Sequence, residues 1–186
     1  VLTKLLRLQQ FTGGFLVADG SEKAELVSKG KLNALEEIID DYVVDAGKKL
    51  VIFARFRPEI DLIDQMLAKK KIKYGSIYGD VKLEDRGGIV KDFQTNEDTK
   101  VFLAQIDTAG LGITLTAADT CVYYSVNFNY AAYSQSLARI HRIGQKNVCT
   151  YIHLITEGTV DETILKALAK KEDLAKTIVD EWRNYF

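Results

Sequence analysis

Short apolar runs alternate with helix-like apolar patterns along most of the chain. Runs rich in β-branched and aromatic residues and bounded by polar ones predict buried strands, at residues 49–54, 74–78, 101–105, 120–124 and 148–155. Apolar positions three and four residues apart predict helices between them, near residues 28–47, 58–67, 83–93 and 135–145. Strands and helices that alternate at this spacing favour an α/β fold with a mainly parallel sheet and right-handed crossovers.

The two ends of the chain carry helices outside this alternation. Residues 1–11 show a helical pattern, and residues 15–27 read as a loop that holds at most a short strand at 15–17. Thr159 with Glu162 matches a capping box, which opens a further helix. We expect a helical lead-in, one main domain and packed C-terminal helices, at residues 1–27, 28–158 and 159–186, with the last helix at 173–182.

The stretch from Gln135 to Gln145 combines amide and guanidinium groups. If it is helical, Gln135, Arg139 and Arg142 form one stripe. Gly144 then stands where a helix ends in a left-handed residue. Two guanidiniums fixed in direction suit a polyanion such as a triphosphate, because the planar fork matches phosphate oxygens. The alternative is that the last turn of any helix favours cations through its dipole.

Loops that follow the predicted strands are the other candidates, because ligands of open α/β sheets bind at the carboxyl ends of the strands. The segment 55–57 offers two arginines, which either bind a ligand or are solvated at a strand exit. A second loop carries the hydroxyls of Thr108 and Thr114. Its glycines, Gly110 and Gly112, give close access to backbone N–H groups, which suits a sugar-phosphate backbone; they also suit a mere tight turn.

Composition and missing motifs argue against several kinds of site. The chain has 186 residues, 47% of them hydrophobic, and a net charge of −1, so it can bury a core but has no globally basic surface. No apolar run is long enough to predict a membrane span. No G-x-x-x-x-G-K-[ST] phosphate loop and no G-x-G-x-x-G occurs. The first residue is not Met, as in a piece of a longer protein.

The two cysteines and two histidines of the chain do not predict a catalytic or metal-binding site. Cys121 and Cys149 lie in apolar, strand-like runs without a C-x-x-C, so two buried reduced thiols are expected and a metal site is not. His141 is interpreted as a packing or hydrogen-bonding residue, and His153 as structural.

The run from Ala104 to Gln145 resembles motifs V and VI of the Swi/Snf-type ATPases of helicase superfamily 2. A DEAD-box relative would carry arginines at the positions of Gln145 and Val148. Other segments resemble further blocks of the family in the same order: Ser28 with Lys31-Leu32, the motif IV run Val51–Phe56, Tyr78-Gly79 with Arg86 and Phe93, and Thr156–Glu162. The resemblance therefore covers nearly the whole chain. It implies a RecA-like three-layer domain, the second of two such domains.

The resemblance also implies a division of labour between the two lobes. ATP and Mg²⁺ would be held mainly by an N-terminal RecA-like lobe of the same protein. Arg139 and Arg142 would act as arginine fingers, with nucleotide contacts from Gln135, Gly110 and Gly112. Contacts to the backbone of double-stranded DNA would come from Arg55, Thr108 and Thr114. The isolated chain would then be inactive, and its two finger arginines would be solvated and unpaired without nucleotide.

Two departures from the family pattern favour a bacterial or phage-borne branch, acting in the cytoplasm without a membrane partner. Residues 125–130 replace the usual Asp-x-Asp-Trp-Asn-Pro, and Thr114 replaces an Asn. The first change also leaves open whether Asn127 and Phe128 belong to a site or only cover the core. Two alternative functions remain: a lobe of an RNA or strand-separating helicase, or a non-catalytic nucleic-acid-binding module.

Overall fold

The N-terminal segment forms a helix and a small hairpin before the main sheet begins. The computed structural model describes residues 2–18, 20, 23–126 and 128–170, without the side chains of Leu2 and residues 109–111. Helix α1 spans Leu2–Thr12, and strands β1 (Phe15–Val17) and β2 (Ala24–Leu26) pair antiparallel. The sequence pattern does not predict β2, because three residues are too short to show a period.

Two glycines set the exit from α1. Gly14 has a φ of +96°, and a Cβ atom there would lie 2.4 Å from the carbonyl oxygen of Ser28. A Cβ atom at Gly13 would lie 2.3 Å from Oε1 of Glu59. Gly14 needs glycine because its φ is positive and the close atom belongs to the backbone, whereas a side chain at Gly13 would have to displace the Glu59 carboxyl group. The end of α1 is thereby held tightly against the main domain.

Five parallel strands form the main sheet: β3 (Leu50–Ala54), β4 (Tyr74–Ile77), β5 (Val101–Gln105), β6 (Thr120–Tyr123) and β7 (Thr150–His153). Their spatial order is β4-β5-β3-β6-β7, so β5, β3 and β6 lie inside the sheet. All five predicted strands are present with bounds close to those predicted. The predicted parallel α/β fold is therefore confirmed.

Helices cover both faces of this sheet. They are α2 (Gly30–Ile39, continued by a π-helical turn at Asp40–Asp45), α3 (Arg57–Lys69), α4 (Leu83–Thr95), α5 (Tyr130–Leu137) and α6 (Val160–Ala169). Strand β3 shows the division: Leu50 and Ile52 join the core with Leu35 and Ile63, whereas Phe53 faces the other core, with Phe93, Phe102 and Ile140. Alternate side chains of one buried strand thus supply both layers.

Helix α6 joins the lead-in to the main domain. Its Ile164 and Leu168 pack with Leu5 of α1. Asp161 forms an ion pair of 2.6 Å with Lys31 of α2, both side chains being 7% exposed. The predicted capping box forms in part: Thr159 accepts from the N–H of Asp161, but Glu162 accepts from Gly158 and not from Thr159. The helix predicted at 173–182 lies outside the described residues.

Some classes of site find no support in the described part of the chain. None of its helices has the length and apolar character that crossing a membrane requires. No group of three or more metal-ligating side chains occurs in the same residues. Both cysteines are free thiols; Cys121 is buried, as expected, but Cys149 is only partly buried.

A fully buried carboxyl group lies where β3 passes into α3. Glu59 is 0% exposed, and its Oε2 accepts hydrogen bonds from the N–H groups of Arg55 and Phe56 and from the hydroxyl of Ser125. Its Oε1 has no partner among the described residues. Burial raises the pKa of Glu59 to about 7, although the hydrogen bonds from Ser125 and Phe56 and the charge of Lys31 act in the opposite direction.

Replacement of Glu59 by Gln should change how stability depends on pH. Between the unfolded pKa of 4.5 and the folded pKa of about 7, only the folded state keeps the proton, so this group's contribution to the free energy of unfolding falls as pH rises. The total loss is on the order of 3 kcal/mol, from about 1.4 kcal/mol for each pKa unit. Glu59→Gln keeps an acceptor but cannot ionise, so it should lack this loss.

Urea denaturation of both proteins at about pH 5 and about pH 8 measures the difference. His153, whose pKa burial lowers to about 4, titrates in both proteins and cancels in the comparison. Equal pH dependence in the two proteins would show that Glu59 does not titrate in this range.

Candidate nucleotide and nucleic-acid site

The arginines predicted to share one helix lie beyond its end. Helix α5 is capped by Asn129, whose side chain accepts from the N–H groups of Ala131 and Ala132, and it ends at Leu137. Residues 138–145 form turns, so the prediction of a helix over 135–145 is wrong. The reason is a long-range bond: the carbonyl of Arg139 accepts the N–H of Leu115 at 2.9 Å, outside any helical pattern.

Gln145 holds these turns in place. Its Nε2 donates to the carbonyls of Ala118 at 2.8 Å, Thr116 at 3.3 Å and Ile140 at 3.3 Å. Its Oε1 accepts the N–H groups of the next two residues, at 2.9 and 3.0 Å. In the sequence, Gln145 stands out only as part of the family motif. The side chain in fact ties the segment before β6 to the turn that carries the arginines.

Arg142 is exposed and bound to the neighbouring loop. Its Nη1 donates to the carbonyl of Gly112 at 3.2 Å and to Oγ1 of Thr114 at 3.1 Å. The expectation of a solvated side chain is therefore confirmed for Arg142, which forms no ion pair with the described residues but is held by these two neutral hydrogen bonds. A left-handed Gly112, with φ of +71°, presents its carbonyl to the guanidinium, so the glycine is also needed for the turn itself.

Arg139 is buried, in contrast to the expectation that it is solvated. Its residue is 9% exposed, and its Nε has no hydrogen-bond partner among the described residues. Burial lowers the pKa of Arg139, and the charge of Arg142 lowers it further. Within the described part of the chain, neither arginine forms an ion pair with a carboxylate. Two cations thus lie near each other without an internal anion.

The other two predicted nucleotide contacts are less defined. Gln135 lies on α5, one turn before Arg139; it is exposed, and its side chain has no hydrogen bond to the described residues. Gly110 belongs to a 3₁₀ turn at Ile106–Leu111 that follows β5. The glycine-rich loop therefore starts as a turn, and Gly112 contacts Arg142 through its backbone.

Arg55 lies at the carboxyl edge of the sheet in a half-buried setting. Its guanidinium stacks on Phe128 at 4.1 Å and on Phe56 at 5.0 Å from the ring centres, and Nη1 donates to Oε1 of Gln9. Burial lowers the pKa of Arg55, while the charges of Asp107 and Glu59 raise it. Phe128 is 6% exposed, which agrees with the interpretation that this loop covers the core. Asn127 lies outside the described residues.

Thr108 lies at the same edge. Its hydroxyl donates to the carbonyl of Gln105 at 2.6 Å, and the side-chain amide of Gln105 donates to the carbonyl of Arg55 at 3.0 Å. The predicted DNA contacts Arg55 and Thr108 are thus linked through a residue that sequence reasoning did not select. The signal in the sequence that could have identified Gln105 is an amide side chain at the last position of a buried strand.

Five of the eight predicted site residues form two groups and not one. Arg142, Gly112 and Thr114 are in direct contact, whereas Arg55 and Thr108 are joined through Gln105. Because the strands of the main sheet are parallel, residues 106–119 must run from the carboxyl end of β5 back to the amino end of β6. This return segment connects the two groups.

The histidines have separate roles. His153 accepts or donates a hydrogen bond of 2.9 Å with the hydroxyl of Tyr133 and stacks on Tyr123 at 4.8 Å. With its pKa lowered by burial, it is neutral at pH 7 and fits the structural interpretation. His141 is exposed, one residue before Arg142.

Comparison with known proteins places the chain in a family. Residues 30–144 match the family described as helicase conserved C-terminal domain. The chromatin-remodeling ATPase INO80 of Neurospora crassa is 34% identical over 171 residues, covering 92% of this chain and 8% of that protein. The INO80 protein of Aspergillus clavatus is 36% identical over 154 residues, covering 83% and 9%. The chain thus spans only a small part of these relatives.

A solved structure supports the same assignment. The C-terminal part of the Fun30 ATPase domain superposes with a TM-score of 0.70 at 27% identity, covering 74% of this chain and 44% of that one. With the five parallel strands and flanking helices, this likeness confirms a RecA-like α/β fold. The chain belongs to the helicase conserved C-terminal domain family of superfamily 2, and within it is similar to the C-terminal lobes of Snf2-like ATPases such as INO80 and Fun30.

Proposed function

We propose that this chain is the C-terminal helicase lobe of a DNA-dependent ATPase that translocates along double-stranded DNA. Its partner would be an N-terminal RecA-like lobe of the same protein, which would hold ATP and Mg²⁺. The observation that carries the proposal is the pair Arg139 and Arg142, placed on one turn without an ion-pair partner among the described residues. Such a pair suits the charge that develops on a transferred phosphoryl group.

Arg142 is the better placed of the two to reach a nucleotide in another lobe, because it is exposed and its direction is fixed by Gly112 and Thr114. Arg139, which is largely buried, would contact the nucleotide only where its guanidinium reaches the surface of the lobe. Gln135, with Gly110 and Gly112, would complete the nucleotide contacts. The cation fork of arginine matches phosphate oxygens, so the groups present fit a triphosphate.

The DNA-binding part of the proposal rests on the carboxyl edge of the sheet. Arg55 and Thr108 lie together there, and Thr114 lies farther along the return segment, in contact with Arg142. A hydroxyl and a guanidinium are usual partners of the phosphate backbone. Since Thr114 contacts Arg142, a displacement of Arg142 on nucleotide binding would directly displace the segment that contacts DNA.

The origin of the parent protein is a separate question. The two INO80 relatives named above come from fungi, so they do not support the predicted bacterial or phage branch or its cytoplasm. The departures at Thr114 and residues 125–130 are the argument for that branch, which stays a prediction. Those names also describe chromatin-remodeling ATPases; the present proposal extends only to duplex DNA.

Replacement of Arg142 by Ala in the parent protein with both lobes should abolish ATP turnover. The expected loss is about 10³-fold or more, the usual range for an arginine finger, with duplex affinity nearly unchanged. Lys146→Ala, which removes an exposed cation from the same turn, is the matched control and should stay close to wild type. Phosphate release and DNA binding are measured for each variant. Surviving turnover in Arg142→Ala would show that this side chain is not the finger.

The 186-residue chain alone should not hydrolyse ATP, because its sequence contains no phosphate-binding loop of the G-x-x-x-x-G-K-[ST] type. Phosphate release in the presence of Mg²⁺ and duplex DNA is compared with that of the Arg142→Ala chain as a blank. Steady turnover above this blank would contradict the division of labour between two lobes.

Duplex DNA should stimulate the ATPase of the parent protein more than single-stranded DNA or RNA does. This comparison separates the proposal from its alternatives. Stronger stimulation by RNA would favour an RNA helicase lobe, and strand release from a partial duplex would favour a strand-separating helicase. Absence of ATPase activity with all three nucleic acids would favour a non-catalytic binding module.

A further inference from the structure

A row of hydrogen bonds crosses the carboxyl edge of the sheet in the same order as the strands. The N–H of Gly79, after β4, donates to Oε1 of Gln105, the last residue of β5, at 3.4 Å. Nε2 of Gln105 donates to the carbonyl of Arg55, after β3, at 3.0 Å. The N–H of Arg55 donates to Oγ of Ser125, after β6, at 2.8 Å. The exits of four neighbouring strands are therefore linked.

The side chain of Gln105 makes two of the three hydrogen bonds in this row. A primary amide carries both a donor and an acceptor, so one side chain can bind the loops on either side of its own strand. Its backbone carbonyl also accepts the hydroxyl of Thr108 at 2.6 Å. Gln105 is partly buried and uncharged. It thus contacts three loops, two of which carry the proposed DNA contacts Arg55 and Thr108.

Contacts to successive phosphates depend on the spacing of the groups that make them, because such contacts fix the register of a protein on the duplex. We propose that Gln105 is a positioning residue: its amide and carbonyl hold Arg55 and Thr108 at a fixed separation, so that both contact the DNA backbone at once. The inference rests on the proposed DNA contacts of these two residues. Gln105 itself does not touch the phosphates.

Gln105→Met tests this role with little change of shape. Methionine has a similar length but neither the donor nor the acceptor, so both side-chain bonds are lost. The turn at Arg55 keeps its bonds to Glu59 and Ser125, so the exit from β3 stays formed. Only the ties from β5 to its neighbours on either side are removed.

The salt dependence of duplex binding by the parent protein is the measurement. The slope of log K against log salt concentration is about 0.9 for each phosphate contacted by a cation. Loss of a direct contact from the neutral Gln105 would leave this slope unchanged. Displacement of Arg55 should lower it by about 0.9, with a fall in affinity of roughly tenfold. A change of slope caused by a neutral substitution is thus specific to a positioning role.

Gln94→Met is the matched control. The Gln94 amide also bridges through both ends, donating to Oγ1 of Thr116 at 3.2 Å and accepting the N–H of Ala117 at 2.9 Å. Its partners, however, lie in the return segment just before β6, at the other edge of the sheet. The slope should stay as in wild type. In the double variant of Arg55→Ala and Gln105→Met, the slope should fall no further than in Arg55→Ala alone.

The outcomes separate this inference from the proposed function. If Arg55→Ala lowers the slope and Gln105→Met does not, the positioning role is overturned and the DNA role of Arg55 stands. If Arg55→Ala leaves the slope unchanged, both fail. An equal fall with Gln94→Met would mean general loosening and would overturn the inference. Thermal unfolding checks the fold; if the Met variant does not fold, Gln105→Asn, with an amide one methylene too short, should show the same loss of slope.

Discussion

Burial of the Glu59 carboxyl group constrains the carboxyl edge of this lobe. The group is fully enclosed, so its oxygens need donors, and Arg55, Phe56 and Ser125 supply them to Oε2 from the exits of two neighbouring strands. The other oxygen, Oε1, would lie 2.3 Å from a Cβ atom at Gly13. One carboxyl group therefore fixes the loop that carries Arg55 and the place where the lead-in helix ends.

The return segment 106–119 follows from the parallel sheet. Each strand must start again at the amino edge, so the chain crosses the domain between β5 and β6. It leaves the carboxyl edge beside Thr108 and passes Arg142 at Thr114. It then meets Gln145 and Gln94 before β6. A single continuous segment thus touches both groups of predicted functional residues, and in the proposed function it would connect the nucleotide contacts to the DNA contacts.

The sequence pattern predicts the strands well because buried parallel strands are continuous apolar runs, as in 50–54 and 101–105. It fails where the structure depends on contacts distant in sequence. The hydrogen bond from the N–H of Leu115 to the carbonyl of Arg139 ends the helix early, and no local pattern in residues 135–145 predicts it. The same holds for the link from Gln105 to Arg55, fifty residues apart. Motif spacing selected the arginines; it could not show that Arg139 is buried.

The burial of Arg139 sharpens the argument for a shared site. A buried guanidinium with an unbonded Nε is unfavourable, and the nearby charge of Arg142 makes it more so. A carboxylate at this position would relieve that cost, yet none among the described residues forms an ion pair with either arginine. An anion from outside the lobe would relieve it instead. The lobe therefore has more to gain from a bound polyanion than a surface on which every cation is already paired.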